Sequence, residues 1–284
     1  MNLYDETRFI MKQNNITANK KLGQNFLVDE NVVDSIVDAA EVTKEDLVIE
    51  IGPGLGTLTK RLLDRAGKVI CIELDHKMIN ILENRFKLYD NIEITNEDVL
   101  KIDLNKLIEL NKNENIKKAK IVANLPYYIT TPIIMKLLEE KLNIESITVM
   151  IQKEVAQRLA AKPGEKEVGS ITYTIWYYTE PKIVLEVPRD SFIPEPEVTS
   201  SVINLKVLDK PRIEVEDEKV FFKVIKAAFM QKRKTLINAL VNGKIFESKE
   251  EAEKCLKENE IDTKIRGEKL SLEQYKMIAD YLKK

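Results

Sequence analysis

Histidine and cysteine are nearly absent from this sequence. The one histidine, His76, cannot complete a Ser-His-Asp triad or a His/Cys zinc site. Cys71 and Cys255 lie far apart in apolar or helical contexts, and read as isolated thiols, not as a disulfide or metal pair. No metal site is expected. There is no run of about 18 apolar residues, so no membrane span is expected. A basic leader with an apolar stretch is missing as well, which points to the cytoplasm. There is no internal repeat and no low-complexity segment. The formal net charge of −2 does not mark a nucleic-acid binder. Chemistry must therefore come from a bound cofactor or from carboxylates, amides and aromatics.

What the chain does have is concentrated in 47–63. An apolar run, 47–51, breaks into Gly52-Pro53-Gly54-Leu55-Gly56, and a helical pattern begins at Leu58. That is strand, tight turn, helix. Glycine lets the backbone approach a ligand, and the helix start offers free N–H groups. Glu50, just before the glycines, would oppose a pyrophosphate but suits a cation. The pattern therefore favours S-adenosylmethionine (SAM), with its ammonium and sulfonium, over a dinucleotide. Taken alone, such a turn also reads as a plain structural βα connection. Two further strand ends add to it. Glu73 closes 68–73 about 20 residues on, where a ribose-binding carboxylate belongs. Asp98 and Val99 follow the strand read at 92–95, and an acid there can accept from an adenine amino group.

A fourth strand end, after 119–122, carries Asn124-Leu125-Pro126-Tyr127. The exocyclic amine of adenine is a poor nucleophile because its lone pair is delocalised into the ring. Acceptors for both N–H groups favour the pyramidal, nucleophilic form. The Asn124 side chain and the Leu125 peptide can supply them, Pro126 stiffens the turn, and Tyr127 can stack on a base taken out of its helix. Phe192, in a proline-braced loop, is the candidate for the base's opposite face, with a core position as the alternative. Upstream, Gln24 and Asn25 flank an aromatic and could close over a ligand.

With 44% hydrophobic residues the chain can bury a large core, and 284 residues suit one α/β domain plus a smaller one. Residues 1–19 read as an amphipathic helix or a mobile arm. Strands are expected at 47–51, 68–73, 92–95, 119–122, 146–152, 170–178, 183–187 and 200–207. This makes a mainly parallel sheet with an antiparallel edge hairpin, a Rossmann-like α/β fold. The linker 208–218 separates a domain at 1–207 from an all-helical one at 208–284. Residues 205–284 carry 19 basic against 15 acidic side chains, whereas 1–204 carry 26 against 32, so any positive face belongs to the C-terminal domain. Lys226, Lys232, Arg233 and Lys234 are the candidate RNA contacts. Lys226 and Lys234 would share a face if one helix runs through both.

The chain resembles the small-subunit rRNA adenine dimethyltransferases, the KsgA or RsmA type. The resemblance covers about residues 20–284. It rests on Gln24-Asn25-Phe26-Leu27, Glu50-Ile51-Gly52-Pro53-Gly54, Glu73, Asp98, Asn124-Leu125-Pro126-Tyr127, Lys162-Pro163-Gly164 with Gly169-Ser170, Ser191-Phe192-Ile193-Pro194 and the stretch 229–236. It implies a class I SAM-dependent methyltransferase with cofactor contacts at Asn25, Leu27, Gly52, Glu73, Asp98 and Asn124. It also implies two methyl groups on each of two adjacent adenines near the rRNA 3′ end, within a pre-assembled 30S-type particle, and a monomeric enzyme. Four departures bear on details of the acceptor pocket: Val168 where an aromatic is common, Glu197 and Thr199 where Lys and Asp are common, and Tyr128 where Asn is frequent. The alternatives are a large-subunit rRNA adenine methyltransferase of the macrolide-resistance type and a non-catalytic ribosome-assembly factor.

Overall fold

The computed structural model describes residues 1–19, 22–165, 167–231 and 234–283. In chain order the strands are β1 (Phe26–Leu27), β2 (Asp46–Ile51), β3 (Lys68–Glu73), β4 (Ile92–Asn96), β5 (Lys118–Asn124), β6 (Ser146–Gln152), β7 (Thr179–Val187), β8 (Phe192–Ile193) and β9 (Ser200–Val207). The α-helices are α1 (Leu3–Gln13), α2 (Glu30–Ala39), α3 (Thr57–Arg65), α4 (His76–Phe86), α5 (Leu104–Asn111), α6 (Thr130–Glu139), α7 (Lys153–Ala160), α8 (Ser170–Tyr178), α9 (Glu218–Phe229), α10 (Leu236–Asn242), α11 (Lys249–Glu258) and α12 (Leu272–Tyr281).

Seven strands form one sheet in the order β4-β3-β2-β5-β6-β9-β7. Pairs from β4 to β6 are parallel, and β9 runs antiparallel to β6. This is the mainly parallel sheet with an antiparallel edge expected from sequence. Strands covered on both faces by helices need continuous apolar runs, and Leu47, Val48 and Ile49 of β2 are accordingly fully buried. The strand order reverses between β2 and β5, and ligand crevices form at such a switch point, outside the carboxyl ends of the strands.

Contacts divide the chain into two units, Met1–Ala156 with Lys182–Val207, and Gln157–Pro181 with Leu208–Lys284. The division differs from the linear break expected after 207, because 157–181 joins the helical unit. The cause is 170–178, a strand by sequence pattern and helix α8 in the structure. Its β-branched and aromatic residues favour a strand locally, but tertiary packing overrides that preference. Tyr173 and Tyr177 are four apart, share a helix face, and are buried with Phe221, Val224 and Tyr275. The Tyr173 hydroxyl donates to the Leu270 carbonyl at 2.8 Å, and the Trp176 indole N–H to the Ala161 carbonyl at 2.6 Å. Gly164 and Val168 belong to this unit too: the Gly164 amide donates to the Glu268 carbonyl at 3.0 Å, and Val168 is 1% exposed.

Candidate functional site

Gly52, Gly54 and Gly56 all have left-handed φ values of 66°, 57° and 79°. Their reasons for being glycine differ. A Cβ on Gly52 would meet nothing within 4 Å, so its side is open for a ligand. One on Gly56 would lie 2.5 Å from the Phe86 ring and 2.9 Å from Leu82, so Gly56 lets the turn pack on α4. The Gly56 amide closes the turn onto the Pro53 carbonyl at 2.9 Å.

This turn opens into a cleft of about 1110 Å³, counting the solvent in its mouth. Its walls bring together Gln24, Asn25, Leu27, Gly52, Gly54, Glu73, Asp98, Val99, Asn124, Leu125, Pro126 and Tyr127. Gly56 lies behind the wall, capping α3.

Two buried carboxyls face the cleft. Glu73 is 7% exposed; its Oε2 accepts from the Gly54 amide at 3.1 Å, and its Oε1 from the Leu74 and Asp75 amides at 2.9 Å each. Burial raises its pKa and these three donors oppose the rise. Glu50 is 1% exposed, and burial pushes its carboxyl up to about 8. Thr59 and the Cys71 thiol, the latter 3.7 Å from Glu50 Oε2, oppose this only in part. Asp98 holds the Leu100 amide at 3.0 Å through Oδ1, and its Oδ2 lies 3.7 Å from Lys101.

On the other wall, Asn124 Nδ2 donates to the Asn25 carbonyl at 3.1 Å. That bond fixes the amide and reserves Oδ1 as the acceptor. Pro126, at φ −59°, begins the 3-10 turn Tyr127–Ile129. Half-buried Tyr127 shares a 2.6 Å hydrogen bond with the Ser200 hydroxyl, and burial raises its pKa, so the hydroxyl stays neutral. Sequence reasoning missed Leu74 at the cleft wall, and it noted Tyr128 only as a departure from the family pattern, not as a lining residue. Tyr128 is 59% exposed at the cleft wall, with its ring edge 3.3 Å from where a Cβ on Gly23 would sit. A second tyrosine after Asn-Leu-Pro-Tyr was the available signal.

Phe192 is not brought to the cleft. It is 3% exposed in a core with Leu27, Val187 and Val202, and its backbone pairs with Leu27. The Ser191 carbonyl accepts from the Val28 amide at 2.8 Å, and the Ser191 hydroxyl donates to Asp29 at 3.2 Å. Strand pairing thus turns the ring inward, and the 191–194 motif serves to hold β1 beside the glycine turn. Val168, Glu197 and Thr199 do not line the cleft either. The expected basic face is changed as well: α9 ends at Phe229, so exposed Lys226 and Lys234 do not share one helix. Lys232 and Arg233 lie outside the described residues.

The cleft suits SAM on this structure's own terms. Open space at Gly52 lets the ligand approach the backbone, and a buried carboxylate at the β3 end and an acid at the β4 end match a ribose diol and an amino group on adenine.

Comparison with known proteins follows the same line. The family model described as "Ribosomal RNA adenine dimethylase" matches residues 15–284. The chain is 50% identical over 274 residues to a ribosomal RNA small subunit methyltransferase A of Clostridium acetobutylicum, covering 96% of this chain and 97% of that one. It is 47% identical over 279 residues to the protein of that description in Alkaliphilus oremlandii, covering 98% and 96%. Among solved structures it is similar to a dimethyladenosine transferase from Plasmodium falciparum, with a TM-score of 0.74, 25% identity and coverage of 89% and 95%. It is also similar to the 23S rRNA methyltransferase ErmE, with a TM-score of 0.69, 25% identity and coverage of 92% and 100%.

Proposed function

We propose that this chain, which belongs to the ribosomal RNA adenine dimethylase family, is a SAM-dependent enzyme that dimethylates adenines of small-subunit rRNA. The observation that carries the reading is the Asn124 amide, oriented by Asn25 beside the cofactor wall at the head of a Pro-Tyr turn. SAM supplies a methyl group on a positively charged sulfur. Gly52, Gly54, Glu73, Asp98 and Val99 would hold it, together with Gln24, Asn25 and Leu27 of the same cleft. Asn124 Oδ1 and the Leu125 carbonyl accept the two N–H groups of the adenine amine, which directs its lone pair out of the ring system. Tyr127 supports the flipped base by stacking, which is worth about 1–3 kcal/mol per base. No strong general base is needed, because the amine becomes acidic once methylated and its proton passes to solvent.

The finer reading is that two adjacent adenines of the 3′-terminal hairpin each receive two methyl groups within a pre-assembled 30S-type particle. The enzyme acts in the cytoplasm as a monomer, and the helical unit positions RNA by binding phosphates. Small-subunit rRNA is favoured over the large-subunit alternative because relatives near half identity bear the small-subunit description. No helix among the described residues is long and apolar enough to cross a membrane. Mass spectrometry of adenines in both rRNAs from cells lacking the protein tests the assignment. Loss of dimethyladenosine from small-subunit rRNA is expected; loss confined to large-subunit rRNA would favour the resistance-type reading, and no loss would favour an assembly factor.

A further inference from the structure

Residues 1–19 take no part in the chemistry above, yet they are built onto the cofactor turn. Helix α1 is capped by Asn2, whose side chain accepts from the Asp5 amide at 2.8 Å. Its Ile10 is 8% exposed and packs in one cluster with Phe26, Leu55, Met78 and Ile81. Leu55 is the residue between Gly54 and Gly56. A polar clamp accompanies this packing. The guanidinium of Arg85, on α4, donates through one nitrogen to the Leu55 carbonyl and through the other to Glu6 of α1. The Arg85 side chain is 16% exposed and that of Glu6 23%. Lys60 of α3 stands 3.7 Å from the same carboxylate. Farther along, Gln24 Oε1 accepts from the Asn19 amide at 2.9 Å, and Gln24 Nε2 donates to Asp75 at 3.0 Å. The N-terminal segment therefore grips both turns that form the cofactor wall, one at Leu55 and one at Asp75.

A turn with three glycines needs such a grip. Glycine loses more conformational freedom on ordering than any other residue, and a ligand that must order the turn binds more weakly for it. A fork that holds the Leu55 carbonyl removes part of that cost before the ligand arrives. Arginine suits the task because its planar guanidinium reaches two acceptors at once, which the point charge of lysine does not do.

We infer that Glu6 and Arg85 are positioning residues for SAM: α1 acts through the Arg85 fork to hold the glycine turn in its binding conformation, although no residue of α1 lines the cleft. This rests on the reading of the cleft as a SAM site. The test is calorimetry of SAM with the full-length parent, Glu6→Gln and Arg85→Lys, together with steady-state kinetics on small-subunit particles. Parent binding comes first, and its absence would sink the cofactor reading itself. Given parent binding, each variant is expected to raise the Kd and KM for SAM roughly three- to tenfold. The kcat at saturating SAM and the KM for the particle should stay within about twofold. Amide exchange at Gly54–Thr57 should quicken in the variants and slow again when SAM is added. A lowered Tm with unchanged SAM affinity in Glu6→Gln, the milder change, would show that the clamp only stabilises the fold and would overturn the inference.

Discussion

The two walls of the cleft are built differently. The cofactor wall follows the ends of β2, β3 and β4, and its central carboxylate, Glu73, is buried and held by the backbone. Glu73 takes three amide donors, and the glycine turn is closed by its own amides. The acceptor wall follows β5. Its turn also closes on backbone, with the Leu125 amide on the Met150 carbonyl at 3.1 Å, but the two side chains that face the base, Asn124 and Tyr127, are half-buried and each held by one bond, Asn124 to Asn25 and Tyr127 to Ser200. A carboxylate fixed by backbone donors is ready before its ligand arrives, whereas a side chain held by one bond can adjust to a base that enters from a larger substrate. The contrast extends within the cofactor wall. Glu73 and Glu50 are both buried, but only Glu73 has backbone donors, and it is Glu50 that burial pushes up to about 8.

Removal of Asn124 should produce the largest change. Asn124→Ala is expected to lower turnover on small-subunit particles by about 100- to 1000-fold, the range seen when one preorganised hydrogen-bonding group is lost from an active site. Single-turnover methylation at saturating SAM measures it, and near-parent turnover would remove Asn124 from the chemistry. Next comes Glu73→Ala, expected to weaken SAM by about 1.5–3 kcal/mol, the contribution of a charge-assisted bond. Unchanged affinity would take the carboxylate out of the cofactor wall.

Glu50 sharpens the contrast through pH. Its carboxyl holds a proton more tightly folded than unfolded, so its effect on stability is least unfavourable below the unfolded value of 4.5. Stability is then lost as pH rises from about 5 to about 8, with a limiting slope of about 1.4 kcal/mol per pH unit. Glu50→Gln removes that titration, so denaturant curves of parent and variant should diverge across this window. A cationic ligand favours the ionised form, so SAM affinity in the parent should also climb with pH while that of Glu50→Gln stays flatter. Parallel curves would mean that Glu50 is ionised throughout. The smallest effect is expected in the helical unit. Lys226→Ala with Lys234→Ala should leave SAM binding intact and flatten the salt dependence of RNA binding, by about one counterion for each phosphate no longer neutralised. An unchanged slope would make both lysines plain solvated surface.

Most of the cofactor wall was legible in the sequence because its parts are local. A strand, its terminal acid and the following turn are adjacent in the chain, so Gly52, Glu73 and Asp98 can be read without knowing what packs where. Asn124 to Tyr127 are legible for the same reason. Phe192 was not, since its burial depends on pairing with Leu27, far away in sequence. Residues 170–178 misled because β-branched and aromatic side chains favour a strand until a helical core claims Tyr173 and Tyr177. The role of α1 was invisible too: a half-buried arginine on α4 joins it to the turn, and no motif marks that pairing.

The most direct test of a preformed cofactor wall is SAM calorimetry without RNA on the parent, Glu73→Ala and Tyr127→Ala. The parent should bind SAM alone, Glu73→Ala should bind it about 10- to 150-fold more weakly, and Tyr127→Ala should match the parent while losing methyl transfer. A parent that binds SAM only with RNA present, or a Tyr127→Ala loss as large as that of Glu73→Ala, would contradict the account.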